Sequence, residues 1–220
     1  WYYVDTNASS TQSPCPPGTY NPQSGSNSSE ACIEADPGFF AFDAGNSNQT
    51  PCSAGTWQNE SGQSSCMNAS SGHYVDSNAS TSQTECATGS FQPSQGQSMC
   101  LDAEPGYHVP NNASDFQTAC PPGSYQNISG QENCVLADIG FFADGFGSDS
   151  QTPCNEYNST LTNGSLSSDC ILDTDWDLLP DIIDGDDDGD GFADELDDFP
   201  LDGTEWLDTD GDGTGDNTDE

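Results

Sequence analysis

Lysine and arginine are absent from the 220 residues, whereas Asp and Glu number 38 and histidine two, for a formal charge of −38. No ion pair with either basic side chain can form. A surface of that charge repels phosphate backbones and anionic headgroups and offers no cation to meet them, which excludes binding to nucleic acid and to anionic membranes. Long apolar runs are missing too. Only 31% of the residues are apolar and they come in short runs, so no segment can cross a bilayer and no single large core is expected. There is no initiator Met and no charged-then-apolar leader before Trp1. Any secretory signal is expected to have been removed.

Catalytic residue types are equally scarce. His73 and His108 are the only general bases of the usual kind, and each stands where other parts of the chain carry Tyr or Phe. Neither a Gly-rich phosphate loop nor a G-x-S-x-G elbow occurs. The chain reads as a non-enzyme.

Cysteine is plentiful. Ten cysteines fall at 15, 32, 52, 66, 86, 100, 120, 134, 154 and 170, with gaps of 14 to 17 alternating with gaps of 20. An even, phased set in an apolar-poor chain predicts a disulfide framework made in an oxidising compartment, hence a secreted or cell-surface protein. The text itself repeats: QTPCSAGTWQNESGQSSC, QTECATGSFQPSQGQSMC and QTACPPGSYQNISGQENC open at Gln49, Gln83 and Gln117, a constant step. Five units follow, residues 1–35, 36–69, 70–103, 104–137 and 138–172, then an Asp-rich module over 173–220. Such a period marks a linear array in which each unit contacts chiefly its neighbours.

Other positions keep the register. A glycine stands ten residues after the first cysteine of every unit (Gly25, Gly62, Gly96, Gly130, Gly164), and another three after it in four of them (Gly18, Gly55, Gly89, Gly123). Both are expected at turns. Each unit opens with a pair of rings: Tyr2 and Tyr3, Phe39 and Phe40, His73 and Tyr74, Tyr107 and His108, Phe141 and Phe142. A further ring, Tyr20, Trp57, Phe91 or Tyr125, follows the first cysteine by five in four units. Rings and disulfide are expected to cover one another across unit boundaries, yet too few atoms are available for a self-sufficient core. The extra residues of the first and last units fall before Cys32 and Cys170, in expected surface loops.

Two pairings fit the spacing. In-unit pairing gives Cys15–Cys32, Cys52–Cys66, Cys86–Cys100, Cys120–Cys134 and Cys154–Cys170, each loop worth about 3 kcal/mol by chain entropy. A shifted pairing, Cys32–Cys52 onward, strands Cys15 and Cys170 unless they meet between molecules. The first is the expectation. With turns every few residues and no helical period, the predicted fold is mostly β and irregular: an elongated array of disulfide-stapled repeats with short two-stranded ribbons and almost no helix, ending in a module with little regular structure.

The phrases CPPGTY from Cys15, CPPGSY from Cys120, and SGQ-x-x-C before Cys66 and Cys134 resemble the cysteine-rich repeats of ephrin-receptor and tumour-necrosis-factor-receptor ectodomains. The resemblance implies a short loop closed by a disulfide, in agreement with in-unit pairing, and an extracellular rod. Those families carry C-x-x-C at the unit junction, whereas here the later position is Ala35, Ala69, Ala103 or Ala137. One crosslink per unit is thereby expected to be missing, with rings and backbone left to hold the junction.

N-x-S/T sequons occur at Asn7, Asn27, Asn48, Asn59, Asn68, Asn78, Asn112, Asn127, Asn158 and Asn163. Asn7, Asn78 and Asn112 lie eight residues before a first cysteine, and Asn59 and Asn127 seven after one. Covalent N-glycans in phase along the array are expected.

The stretch from Asp173 to Glu220 holds more than half of the 38 acidic side chains. Spacing, beyond charge, is what matters there. Calcium takes six to eight hard oxygens on a tightly turned loop, which D-x-D-x-D-G-x-x-D-x-x-D supplies. One match is Asp186, Asp188, Asp190, Asp194 and Asp197, with Gly191 at the turn and the Phe192 carbonyl. A second is Asp208, Asp210, Asp212, Asp216 and Asp219, with Gly213 and the Thr214 carbonyl. A third, Asp173, Asp175, Asp177, Asp181 and Asp184, has Leu178 where glycine belongs. Pro180 and Pro200 discourage the flanking helices of an EF-hand. The run resembles thrombospondin type 3 repeats, which wrap Ca2+ with little secondary structure, although it lacks their cysteines. Without the ion these carboxylates would repel one another, so order that depends on calcium is expected, with Trp176, Leu178, Leu179, Ile182, Ile183, Phe192, Leu196, Phe199 and Trp206 as a thin apolar filling.

The sequence therefore predicts an extracellular structural glycoprotein, the calcium-stabilised subunit of a surface fibre that associates head to tail with copies of itself. A second reading makes it a spacer or ligand-binding ectodomain of a larger adhesin or receptor.

Overall fold

The computed structural model describes residues 2–3, 12–23, 25–26 and 28–218, with Tyr2 and Tyr3 described by their backbone alone. One compact unit runs through Ala103 and takes in Val109–Gln117 and Gly130–Glu132; the other holds Glu104–His108, Thr118–Ser129 and the chain from Asn133 on. Among the described residues there is no α-helix. Regular structure consists of two-residue strands in antiparallel ribbons and of isolated 3-10 turns.

From Phe39 the ribbons begin at a constant step, half the period of the sequence: Phe39, Thr56, His73, Ser90, Tyr107, Ser124, Phe141 and Asn158 each open a strand. Each repeat of the sequence is thus two successive coils of the same build. Thr56 and Trp57 pair with Asn68 and Met67 in one coil, and His73 and Tyr74 with Glu85 and Thr84 in the next. A coil starts at a fully buried Cys or Ala in strict alternation: Cys15, Ala35, Cys52, Ala69, Cys86, Ala103, Cys120 and Ala137 are each 0% exposed.

Main-chain ties give the two kinds of coil one geometry. The amides of Cys52, Ala69, Cys86 and Ala103 donate to the carbonyls of Gly38, Gly55, Gly72 and Gly89 at 2.8–2.9 Å. Those glycines in turn donate to the next coil, Gly55 to the Val75 carbonyl at 2.7 Å and Gly72 to that of Gln92 at 2.8 Å. Backbone approaches backbone so closely that a Cβ on Gly55 would stand 2.2 Å from the Gly96 carbonyl oxygen. A ladder of this kind needs small residues inside and hydrogen-bonding backbone throughout.

The core follows from that requirement. Besides the Cys and Ala positions it holds Ala41, Val75, Val109 and Ala143 in the Ala coils, and at the same place in the Cys coils the buried amides of Gln58, Gln92 and Gln126. Those amides are satisfied: Gln58 Nε2 donates to the Ser65 carbonyl at 3.0 Å and its Oε1 accepts from the Glu60 amide at 3.1 Å, as buried polar groups must. Among the described residues, the aromatic rings expected to cover one another instead lie half-buried on the ribbons, and the Tyr2 and Tyr3 rings lie outside the described side chains. Rings are too bulky for a backbone-to-backbone interior.

The disulfides are Cys15–Cys32, Cys52–Cys66, Cys86–Cys100, Cys120–Cys134 and Cys154–Cys170. The alternate coils are closed by glutamine at the place of the second cysteine. The Gln83 and Gln151 carboxamide oxygens accept from the Ser70 and Asp138 amides, both at 2.7 Å. The alanines at the unit junction therefore stand where cysteine stands one coil away, and the missing crosslink is replaced by a side-chain clamp rather than by rings. The extra residues of the first and last units wind into single 3-10 turns, Ser29–Ala31 and Ser167–Asp169, directly before Cys32 and Cys170.

Beyond Asp173 the chain forms three turned loops, with one 3-10 turn at Asp194–Leu196. The expected apolar filling is only partly realised. Phe192 and Trp206 stack at 5.3 Å with rings 2° from parallel, but Ile182 and Leu196 are 77% and 79% exposed. The buried residues include Asp173, Asp197 and Glu205. These loops are organised around carboxylates, so the apolar side chains turn outward.

Candidate metal centre

Three carboxylate groups converge, one per loop: Asp173, Asp175 and Asp177; Asp186, Asp188 and Asp190; Asp208, Asp210 and Asp212. In each, oxygens of the three residues lie within 4.8 Å of one another. Convergence is achieved by backbone, because alternating residues on a tight turn project to its inside. The turn needs left-handed residues at two places. Position six is Leu178, Gly191 and Gly213, with φ of 75°, 98° and 89°, and position four is Trp176, Gly189 and Gly211, with φ of 65°, 71° and 77°. The second of these requirements is not apparent from the aspartate spacing, although the glycines at 189 and 211 signal it.

Short-range bonds fix the carboxylates. The Asp190 and Phe192 amides donate to Asp188 and Asp190 at 3.2 and 2.8 Å, and the Asp212 and Thr214 amides to Asp210 and Asp212 at 3.2 and 2.8 Å. The Gly191 and Gly213 amides reach back to Asp186 at 3.1 Å and Asp208 at 2.9 Å.

The ninth-position aspartates do something the spacing does not foretell. Asp181, Asp194 and Asp216 accept from the amides of Thr174, Asp187 and Thr209 at 2.8, 2.9 and 2.8 Å. Each cross-ties the ends of its loop. At position twelve, Asp184 accepts from the Gly185 and Asp186 amides at the entry of the second loop. Asp197 acts on Asp188 as a neighbouring charge and is not one of the three residues that converge in the second loop. Asp219 lies outside the described residues. Asp187 and Glu205, which the spacing passes over, each hold a buried oxygen without a partner.

The electrostatics of the second and first loops are unfavourable as they stand. Asp173 Oδ1, Asp186 Oδ1, Asp188 Oδ2, Asp190 Oδ2 and Asp197 Oδ2 are buried and meet no hydrogen-bond donor. Burial pushes the Asp173 and Asp188 carboxyls above their ordinary values, and adjacent aspartates add to the effect in each case. Burial likewise raises Asp187, followed by the charges of Asp194, Asp181, Asp184 and Asp188. Asp216 is held below the usual range by the Thr209 hydroxyl and then its amide. Clustered, desolvated, donor-poor oxygens are the donor set that a hard divalent cation completes.

The described sequons lie on the surface except at one place. Asn48, Asn59, Asn68, Asn78, Asn112, Asn127 and Asn163 are exposed and Asn158 half-buried, the last followed by Ser159 and Thr160 at 1% and 0% exposure. Asn7 and Asn27 lie outside the described residues. Asn78 and Asn112 share one turn position, where each Oδ1 accepts an amide from the preceding part of the ladder, Ala54 at 3.0 Å and Thr88 at 3.1 Å.

His73 and His108 occupy ribbon positions opposite Glu85 and Thr118, and His73 Nδ1 lies 3.1 Å from the Ser71 carbonyl.

Residues 38–86 match the family described as tyrosine-protein kinase ephrin type A/B receptor-like. The matched stretch contains the Cys52–Cys66 coil, the coil that opens at Ala69 and the coil that opens at Ala35 apart from its first three residues. No curated protein matches the chain. The chain thus carries an ephrin-receptor-like cysteine-rich segment, a non-catalytic module, inside a longer array of disulfide coils. That module and the disulfides point to an extracellular setting.

Proposed function

We propose that this chain is a non-enzymatic spacer segment of an extracellular, receptor-like or adhesin-like surface protein, N-glycosylated on its coils and stabilised at its Asp-rich end by Ca2+. The carrying observation is that the geometry of the matched stretch, 38–86, recurs coil after coil on both sides of it, with the same ties and the same small-residue interior. Residues are spent on repetition, which suits spacing and display.

Calcium is supported by the buried, donor-poor oxygens of the first two loops and by the resemblance of the aspartate spacing to thrombospondin type 3 repeats. A subunit of a head-to-tail fibre is the second reading, favoured by the open repetition of the coils.

Sedimentation velocity of the native, unreduced protein in millimolar calcium separates the two. A monomer at every concentration supports the spacer; growth with concentration, or filaments in negative stain, supports the fibre. Calorimetric titration with CaCl2 tests the cation, and intact mass against the 23.1 kDa of the sequence tests the glycans.

A further inference from the structure

The ladder does not stop at the last disulfide. The Cys154 amide donates to the Gly140 carbonyl at 2.8 Å, and one step on the Asp173 amide donates to the Tyr157 carbonyl at 3.0 Å. Asp173 stands where the earlier coils place Cys or Ala and is equally buried, at 1% exposure. Three residues further, where the coils carry a left-handed glycine, Trp176 has φ 65°, and one coil earlier Tyr157 has φ 63°. The first Asp loop is therefore the beginning of another coil.

That coil departs from the pattern of the others. In the array the space over each such glycine is filled by a carbonyl from further along the chain, as at Gly106 and Gly123, where an added Cβ would stand 2.2 Å from the Gly147 and Gly164 oxygens. Over Gly140 the nearest atom is instead Leu178 Cδ2, at 3.2 Å. The Tyr157 and Trp176 rings meet edge to face at 5.9 Å. Leu178 replaces the turn glycine of the cation loop because its side chain seals the end of the ladder. A cavity of about 210 Å³ remains there, lined by Gly140, Phe141, Cys154, Asp173, Trp176 and Leu178 among others.

The seal includes the buried Asp173 side chain, which belongs to the triad with Asp175 and Asp177 and whose Oδ1 has no hydrogen-bond partner, and two large residues in left-handed backbone. Left alone, both are unfavourable. We propose that the first Asp loop is the terminal cap of the coil array and that a divalent cation on Asp173, Asp175 and Asp177 locks the Cys154–Cys170 coil closed. This rests on the calcium reading above. The cap couples ion binding to the end of the array through one residue that belongs to both.

The full chain tests it by the rate at which tris(2-carboxyethyl)phosphine reduces each disulfide, followed by alkylation and peptide mass, in calcium and in chelator. We expect Cys154–Cys170 to be reduced at least tenfold faster in chelator while Cys86–Cys100 is unchanged. Asp173→Ala, which installs the residue of the earlier Ala coils, removes the calcium dependence at Cys154–Cys170. Asp210→Ala, in the third loop, leaves it in place. Calcium binding by calorimetry with equal protection of Cys154–Cys170 in both conditions overturns the cap and spares the calcium reading. No calcium binding at all overturns both.

Discussion

The Gln49 carboxamide oxygen accepts the Asp36 amide at 2.7 Å, and its Nε2 donates to the Asp36 carboxylate at 2.8 Å. In the following coil the same place is taken by the Cys52–Cys66 disulfide. A bidentate hydrogen-bond clamp and a covalent staple thus close two coils of one backbone geometry.

If the coils are equivalent, the staple can be moved. Ala69→Cys with Gln83→Cys is expected to close a sixth disulfide, stabilising the array by about 3 kcal/mol for a loop of that size. Gln83→Ala alone loses the clamp and costs about 1 kcal/mol. Thiol titration and thermal unfolding of the unreduced protein read both.

Two glycine substitutions should differ sharply. Gly72 has φ 76° and an added Cβ would lie 2.0 Å from the Ala113 carbonyl oxygen, so the ladder must part to admit it. Gly96 also has a positive φ, 73°, but its Cβ would meet only ordinary contacts with Asn68 at 3.5 Å or more. Ala79 and Ala113 already occupy the equivalent turn. Gly96→Ala is expected to cost about 1 kcal/mol, the left-handed penalty alone, and Gly72→Ala several times that, measured by thermal unfolding.

Trp206, stacked on Phe192 beside the second loop, reports on the Asp-rich module. Removing calcium with chelator is expected to change its fluorescence and lower the melting temperature of the module. At calcium about a hundred times Kd each occupied site adds about 2.7 kcal/mol. Asp188→Asn and Asp190→Asn weaken binding at the second loop; unchanged titration curves for both would refute its assignment.

The pH response of the module should reverse with calcium. In chelator, Asp173, Asp187 and Asp188 have carboxyls raised above their unfolded values, chiefly by burial. At these three groups the folded module binds more protons than the unfolded chain between the ordinary carboxylate value of about 3.9 and the raised ones. Their contribution to stability is fullest below that window and falls as pH rises through it, against an opposite contribution from Asp216 alone, which is held low. In calcium the protons compete with the ion, so stability falls as the pH is lowered instead. Melting curves at several pH values, with and without calcium, check the sign.

Much was legible in the residues. Cysteine and glycine are chemically unambiguous, so the phased cysteines and the positive-φ turns at Gly62, Gly96 and Gly130 could be read from spacing. Aspartate spacing located the three carboxylate triads for the same reason. The position-nine aspartates were not legible as braces, because a carboxylate that binds an ion and one that accepts a backbone amide look alike in sequence. Nor could the outward turn of Ile182 and Leu196 be foreseen, since it depends on which groups the loop wraps.

By itself, then, the sequence determined a chain without basic side chains, a regular cysteine period, ribbons without helix and three Asp loops. Only the tertiary structure decided that the coil is half that period, that Ala35 and Cys52 are one position, and that Asp173 is another of the same kind. Cys, Ala and Asp share no chemistry that a sequence could align. What they share is an amide that donates to the carbonyl of the preceding coil and a side chain small enough to be buried there.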